Sequence, residues 1–73
     1  MTEYAVKASV PTRVYEREWS QVEAALARQA THALEAVGAT DIREEVARFI
    51  DAYTDEEGTP IPPHYEVVWL GTV

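Results

Sequence analysis

The sequence has no cysteine and few bulky apolar side chains. Its 73 residues include nine Val, three Leu, three Ile, one Phe and two Trp, and much of its 47% hydrophobic content is alanine. The missing cysteines exclude disulfides and cysteine-based zinc sites. A chain of this length forms one domain, residues 1–73, and buries only about 60% of the surface that the unfolded chain exposes. Small domains that lack a disulfide or a structural metal are often stabilised by binding to another chain, so we expect a homodimer or an obligate partner.

Positive charge is also scarce. The chain has 6 basic and 13 acidic side chains, for a net charge of −7. A phosphate-binding patch is difficult to build from Lys7 and five scattered arginines, so direct nucleic-acid binding is not expected. A negative field favours a protein partner with a basic surface, although acidic surfaces also keep small proteins soluble.

Long apolar runs are absent. No stretch approaches the roughly 18 apolar residues that a membrane-spanning helix needs. The first ten residues, MTEYAVKASV, lack the basic and apolar regions of a signal peptide. We therefore expect a cytoplasmic protein that does not contact a membrane.

Residues 3–10 show the alternation of a half-buried strand, with apolar side chains at the even positions from Tyr4 to Val10. Pro11 cannot donate a backbone hydrogen bond, so it marks an edge or a break. We expect residues 12–16 to continue as a less regular extended segment.

The stretch from 20 to 37 has the pattern of an amphipathic helix, with apolar residues at helical spacing from Val22 to Val37. Ser20 and Glu23 have the spacing of a capping box at its start. Gly38 suits the left-handed position that follows a helix. These signals together predict the first helix.

A second helix is predicted over 40–53, where apolar residues recur at helical spacing from Ile42 to Tyr53. Asp41 and Glu44 are typical of a helix start. A strand is the alternative for this segment, since Ile42 and Ile50 also share a parity. Residues 54–63 contain Gly58 and three prolines and are predicted to form a loop.

The segment 64–72 reads as a strand that is apolar on both faces, which is typical of a central or doubly covered strand. The predicted fold is therefore α+β, a small antiparallel sheet of two or three strands covered by two helices. The expected element order is β-α-α-β, with β-α-β-β as the alternative. A sheet this small has an open edge, and we expect dimerisation to extend it.

No catalytic signature is present. The three glycines lie too far apart to form a phosphate cradle, and Ser9 and Ser20 have no base at a motif spacing. His32 and His64 are not at a recognised metal-ligand spacing. We expect no enzymatic activity, no catalytic residue, no metal and no cofactor.

The residues that favour binding are aromatic and acidic. Trp, Tyr and Arg dominate interface hot spots, and Tyr15, Arg17 and Trp19 share one parity if their segment is extended. Acidic residues on the second helix and the loop after it are expected to steer a basic partner. These acidic candidates are Glu44, Glu45, Asp51, Asp55, Glu56 and Glu57.

In size and acidity the chain resembles compact inhibitors made by phages, including anti-CRISPR proteins. The resemblance is compositional and carries no site residues, but it implies a non-enzymatic inhibitor whose carboxylates mimic nucleic-acid phosphates. The chain is also similar to dodecins in its length and in the order of its elements. The similarity stops there, because GATDIREE stands where dodecins have an aromatic segment after the helix. The alternative function is a homo-oligomer that binds a small ligand or cofactor between subunits. The residues expected to line that pocket are Tyr15, Trp19, Tyr53 and Trp69.

Overall fold

The structure is a computed structural model that describes residues 2–73. Its elements are β1 (Glu3–Pro11), α1 (Thr12–Arg17), α2 (Trp19–Ala36), β2 (Thr40–Glu44), β3 (Arg48–Ile50), β4 (Tyr53–Thr54), β5 (Pro60–Ile61) and β6 (His64–Thr72). The expected α+β class, with an antiparallel sheet and two helices, is confirmed. Only one of the two predicted helices is present, as α2, and the other observed helix, α1, was not predicted.

Strand β6 lies in the middle of the main sheet. It pairs antiparallel with β1 along one edge, from Glu3 opposite Thr72 to Pro11 opposite His64. Its other edge pairs with β2 and then with β3. A strand that is apolar on both faces suits this central position, which is one of the two placements that the sequence predicts.

The core lies between this sheet and α2. The predicted first strand is confirmed as β1, and Val10 on its even-numbered face is buried. In β6 the odd-numbered side chains face the same side, so Val67 and Trp69 are buried together. The remaining buried apolar side chains come from α2 and the turn after it, and they are Ala30, Leu34 and Ala39.

Residues 12–17 form α1, so the expectation of an extended segment at 12–16 is wrong. Pro11 precedes the helix with φ −55° and ψ 146°, a conformation that ends β1 and leads into α1. Val14 packs against the core, and its carbonyl oxygen accepts the Glu18 N–H at 2.8 Å. A helical turn thus gives Val14 both a core contact and a backbone hydrogen bond.

Helix α2 is confirmed, but the capping box at its start is wrong. The cap residue is Glu18, which makes no side-chain capping hydrogen bond. The chain enters α2 directly from α1, and the Glu18 carbonyl accepts the Gln21 N–H at 2.9 Å. Ser20 lies inside the first turn instead of before it.

The end of α2 is as expected, since Gly38 has a φ of +82°. The Ala39 N–H donates to the Leu34 carbonyl at 3.0 Å, and the Gly38 N–H donates to the Glu35 carbonyl at 3.0 Å. These two bonds are the Schellman pattern, which only a left-handed residue such as glycine closes at low cost. The motif turns the chain back toward the sheet.

The predicted helix over 40–53 is wrong, because this segment contains β2 and β3. The second edge of β6 carries backbone donors and acceptors that need partners, and β2 and β3 supply them. Asp41 has a φ of +53°, and the pairing of β2 with β6 shifts register between Thr40 and Arg43. Val46, which the helical pattern would bury, is 90% exposed.

Gly71 allows the end of α2 to lie close against the sheet. A Cβ at this position would lie 2.8 Å from the Cβ of Ala39 and 3.4 Å from Cγ1 of Ile42. Both neighbours belong to the segment that follows the Schellman turn. The absence of a side chain at Gly71 is therefore a condition for the close packing of this segment on β6.

Candidate functional site

Four aromatic rings form a continuous run at one end of the helix-covered face. Trp19 and Tyr15 have ring centroids 5.1 Å apart, Tyr15 stacks on Tyr65 at 4.1 Å, and Tyr65 meets the edge of Phe49 at 5.4 Å. Tyr15 and Trp19 are four residues apart across the junction of α1 and α2. Phe49 and Tyr65 are direct partners in the pairing of β3 with β6. Phe49 is 51% exposed, so the run opens to solvent at that end.

Three carboxylates accompany this run. Glu23 Oε2 accepts a hydrogen bond from Trp19 Nε1 at 2.9 Å, and Glu16 Oε2 lies 3.5 Å from the Tyr65 hydroxyl. Glu44, opposite Trp69 in the pairing of β2 with β6, lies close enough to Glu23 for the charge of that carboxylate to raise its pKa. Together these groups form what we call the aromatic–acidic patch, which consists of Tyr15, Glu16, Trp19, Glu23, Glu44, Phe49 and Tyr65.

The negative charge of the patch is not neutralised within the described part of the chain. Among residues 2–73, the ion pairs are Arg43 with Glu3, Arg43 with Asp41 and Arg48 with Glu66, and none involves a patch carboxylate. Burial raises the pKa of Glu44, and the nearby carboxylate of Glu23 raises that pKa further. The pKa of Tyr65 is also raised, first by desolvation and then by the charge of Glu16.

Replacing Glu44 with glutamine is expected to stabilise the protein at neutral pH. A pKa above the ordinary value of 4.5 means that the folded state binds this proton more tightly than the unfolded state. Ionised Glu44 therefore lowers the free energy of unfolding, and this cost disappears as the pH falls through the raised pKa. Urea unfolding at pH 7 and at about pH 3 measures both effects. Glu44→Gln should gain stability only at pH 7, and a loss there would contradict the assignment.

Tyr15 and Trp19 lie in the patch, while Arg17 does not join them. The expected stripe of Tyr15, Arg17 and Trp19 is wrong because α1 is helical and residues two apart on a helix do not share a face. Arg17 is the last residue of α1 and is exposed. It makes no ion pair with any residue of the described range 2–73.

The acidic candidates do not share a helix face, since the predicted second helix is absent. Glu44 ends β2, and the Glu45 N–H donates to the Val68 carbonyl at 2.7 Å. Asp51 Oδ1 accepts the Ala52 N–H at 2.8 Å in the link between β3 and β4. Of these three residues, only Glu44 lies in the patch.

The remaining acidic candidates lie in the turn that joins β4 to β5. Asp55 Oδ1 accepts the N–H groups of Glu57 and Thr59 at 2.9 and 2.8 Å. Gly58 closes the turn with a φ of +84°. Asp55 therefore has a structural role, as aspartates often do in turns, while Glu56 and Glu57 are exposed.

Sequence reasoning did not assign Glu16, Glu23, Phe49 and Tyr65 to a site. The four-residue spacings from Tyr15 to Trp19 and from Trp19 to Glu23 were signals of contact on a helix surface. The pairing of Phe49 with Tyr65 left no local signal, because it depends on the register of β3 against β6.

The proposed pocket residues are not brought together within one subunit. Trp69 is 3% exposed in the core, and Tyr53 lies in β4 of the separate two-stranded sheet. His64 Nδ1 lies 2.9 Å from the Pro62 carbonyl oxygen, which indicates a hydrogen bond within the loop. Within residues 2–73, no three His, Asp or Glu side chains cluster in a way that could hold a metal ion.

The chain matches no protein-family model, no curated protein and no solved structure. In the described range, no helix has the length and apolarity to cross a membrane. The candidate site therefore rests on the geometry and charge of the aromatic–acidic patch.

Proposed function

We propose that this chain is a non-enzymatic protein-binding module whose aromatic–acidic patch receives a cationic segment of a partner protein. The observation that carries the proposal is the run of four aromatic rings beside three carboxylates that have no cationic partner among residues 2–73. A guanidinium or ammonium group can make a cation–π contact with an aromatic ring and a charge-assisted hydrogen bond with a nearby carboxylate at the same time.

The chemistry of the patch favours arginine over lysine. A guanidinium is planar, stacks on aromatic faces and donates several hydrogen bonds to carboxylates, whereas a lysine ammonium is a compact and strongly hydrated charge. Phe49, 51% exposed, offers a ring at the open end of the run. A bound cation would also relieve the mutual repulsion of Glu23 and Glu44, which raises the pKa of Glu44 in the free protein.

An arginine-containing peptide is expected to bind, and a matched peptide with citrulline in place of arginine is not. Citrulline keeps the shape of the side chain but lacks its charge. Amide and side-chain NMR signals of Tyr15, Trp19 and Tyr65 should shift during titration with the first peptide. Binding should weaken at high salt, and it should weaken as the pH falls through the raised pKa of Glu44, because protonation removes that negative charge. Equal binding of both peptides would overturn the proposal.

Matched variants test whether the patch itself is responsible. Phe49 and Tyr53 are both 51% exposed, but only Phe49 lies in the patch. Phe49→Ala should weaken peptide binding roughly fivefold, which corresponds to about 1 kcal/mol of lost cation–π contact, while Tyr53→Ala should leave it unchanged. Equal effects of these two variants would show that the aromatic run does not form the site.

Charge variants distinguish binding at the patch from binding by the acidic surface as a whole. Glu23→Gln with Glu44→Gln should reduce binding strongly, whereas Glu56→Gln with Glu57→Gln should reduce it little. The phosphate-mimicking inhibitor predicts comparable losses from the two pairs, because its carboxylates act over a broad surface. A large loss from the Glu56 and Glu57 pair would therefore favour the nucleic-acid mimic over the patch.

We propose separately that the chain forms a dimer. The buried side chains are few, and neither a disulfide nor a cysteine-based metal site can reinforce them. A second copy of the chain would supply additional buried surface without using the patch.

A further inference from the structure

The outer edge of β1 carries unpaired backbone groups. Within the described residues 2–73, β1 is the end strand of the main sheet and pairs only with β6. Thr2 and Val73 exchange both backbone hydrogen bonds, at 3.2 and 2.8 Å. In an antiparallel ladder such pairs recur at every second residue, so the N–H and C=O groups of the even-numbered residues point toward β6. Those of Glu3, Ala5, Lys7 and Ser9 then point outward, and these four residues are exposed.

The opposite edge of the sheet is less suited to pairing. It is divided between β2 and β3, and the register of β2 shifts between Thr40 and Arg43. The positive φ of Asp41 interrupts the extended backbone there. Bulges and short strands are features that discourage edge pairing. Nine-residue β1 is thus the long regular edge of the described sheet.

The charges of β1 select one antiparallel register with a second copy. Outward-pointing groups can pair only with outward-pointing groups, so odd-numbered residues must face odd-numbered residues. A two-fold axis at Glu3 or at Lys7 would place like charges opposite each other, which is destabilising. Among the two-fold axes that pair odd-numbered residues, only the axis at Ala5 places Glu3 opposite the partner's Lys7 and Lys7 opposite the partner's Glu3, whereas axes at Tyr4, Val6, Ala8 or Ser9 bring no opposite charges together.

We propose that β1 pairs antiparallel with β1 of a second copy about a two-fold axis at Ala5, which joins the two sheets into one. The pairs at Glu3, Ala5 and Lys7 would each exchange two backbone hydrogen bonds. On the helix-covered face, Tyr4 would lie opposite the partner's Val6, a favourable aromatic and β-branched pair. Tyr4 is 45% exposed in the single copy, and this contact would cover it.

The side chains at this edge are free to make the required contacts. Arg43 Nη2 contacts Glu3 Oε2 at 2.6 Å, which leaves Oε1 of Glu3 for the partner's Lys7. Lys7 forms no ion pair with any carboxylate in residues 2–73. A single edge lysine can also serve to prevent pairing, and the protein would then stay monomeric. The reciprocal placement of Glu3 two positions before Ala5 and Lys7 two positions after it is what favours the second copy.

Sedimentation over a concentration series tests the dimer. We expect a Kd in the micromolar range, since one strand pair buries less than the ~1,200 Å² of a standard interface. Lys7→Glu should raise the Kd at least tenfold by placing two carboxylates opposite each other. Ala5→Pro should do the same, because proline removes an outward N–H that β6 does not use. Ser9→Pro removes an outward N–H outside the Glu3–Lys7 segment, whose three pairs define the proposed interface, and should weaken the dimer far less, provided that circular dichroism shows both proline variants folded.

A cysteine substitution tests the register, and the chain has no native cysteine to interfere. Directly opposed residues in a hydrogen-bonded pair have Cα atoms about 5.5 Å apart, within the range that a disulfide spans. Ala5→Cys should therefore form an intermolecular disulfide under mild oxidation, and Ser9→Cys should not. A protein that is monomeric at all concentrations, a dimer that Lys7→Glu and Ala5→Pro leave intact, or preferential cross-linking of Ser9→Cys would overturn the proposal.

This inference does not depend on the aromatic–acidic patch. Tyr65 of the patch lies opposite Val10, near the Pro11 end of β1, whereas the proposed axis is at Ala5. Ala5→Pro should keep the affinity of each subunit for the arginine peptide, and Phe49→Ala should keep the dimer. Failure of one proposal would therefore be distinguishable from failure of the other.

Discussion

Replacing Trp69 with alanine is expected to lower the free energy of unfolding by about 3–5 kcal/mol, the usual cost of removing a large buried aromatic side chain. Trp69 is 3% exposed and lies on the central strand beneath α2. The free energy of unfolding of a natural domain is typically only about 5–15 kcal/mol. Trp69→Ala should therefore be largely unfolded in low concentrations of urea, or in its absence.

Urea unfolding measures this effect, with Val46→Ala as the control. Val46 is 90% exposed, so its truncation should change stability by no more than about 0.5 kcal/mol. Trp69→Phe should cost less than Trp69→Ala, because a phenyl ring refills part of the space. It also removes the indole Nε1, which is buried without a hydrogen-bond partner among residues 2–73. A loss below about 1 kcal/mol for Trp69→Ala would contradict the placement of this side chain in the core.

Replacing Gly71 with alanine is expected to cost about 1–3 kcal/mol through overpacking. The added Cβ would lie 2.8 Å from the Cβ of Ala39, and neither atom is the end of a flexible side chain. Relief would require a shift of the turn after α2 relative to β6. Thermal and urea unfolding of Gly71→Ala measure the loss.

A double-mutant cycle identifies the cause. Ala39→Gly removes the opposing Cβ, so Gly71→Ala should cost less in that background than in the parent protein. Gly58→Ala is the matched comparison: Gly58 has a φ of +84° and nothing within 4 Å of an added Cβ. Its cost should come from backbone strain, and Ala39→Gly should not reduce it. Additive effects of Gly71→Ala and Ala39→Gly would rule out the proposed clash.

The sequence was informative where local and tertiary requirements agree. β1 alternates because one of its faces lies under α2, and Gly38 ends that helix because the chain must reverse there. The double-sided apolar character of 64–72 correctly indicated the central strand. Each of these patterns is visible within a few neighbouring residues, and the packing of the folded chain requires the same local structure.

Prediction failed where a second requirement decided the outcome. Residues 40–53 match a helical repeat, yet they form β2 and β3, because these strands pair with the backbone groups at the second edge of β6. The stretch at 12–16 is too short to distinguish a period of two from a helical turn, and the core contact of Val14 favoured the turn. Two members of the patch, Phe49 and Tyr65, meet only through strand pairing. Of the four rings in the run, the sequence therefore indicated only Tyr15 and Trp19 as binding residues.

The central position of β6 also bears on how the protein folds. β1, β2 and β3 all precede β6 along the chain, and each contacts it rather than one another. Helix α2 can form from local contacts, but β1 must remain unpaired until β6 reaches it from the far end of the sequence. Such long-range closure slows folding. During synthesis on the ribosome, the sheet would therefore assemble only after β6 has emerged, and until then the apolar side chains of β1 would lack their partner strand.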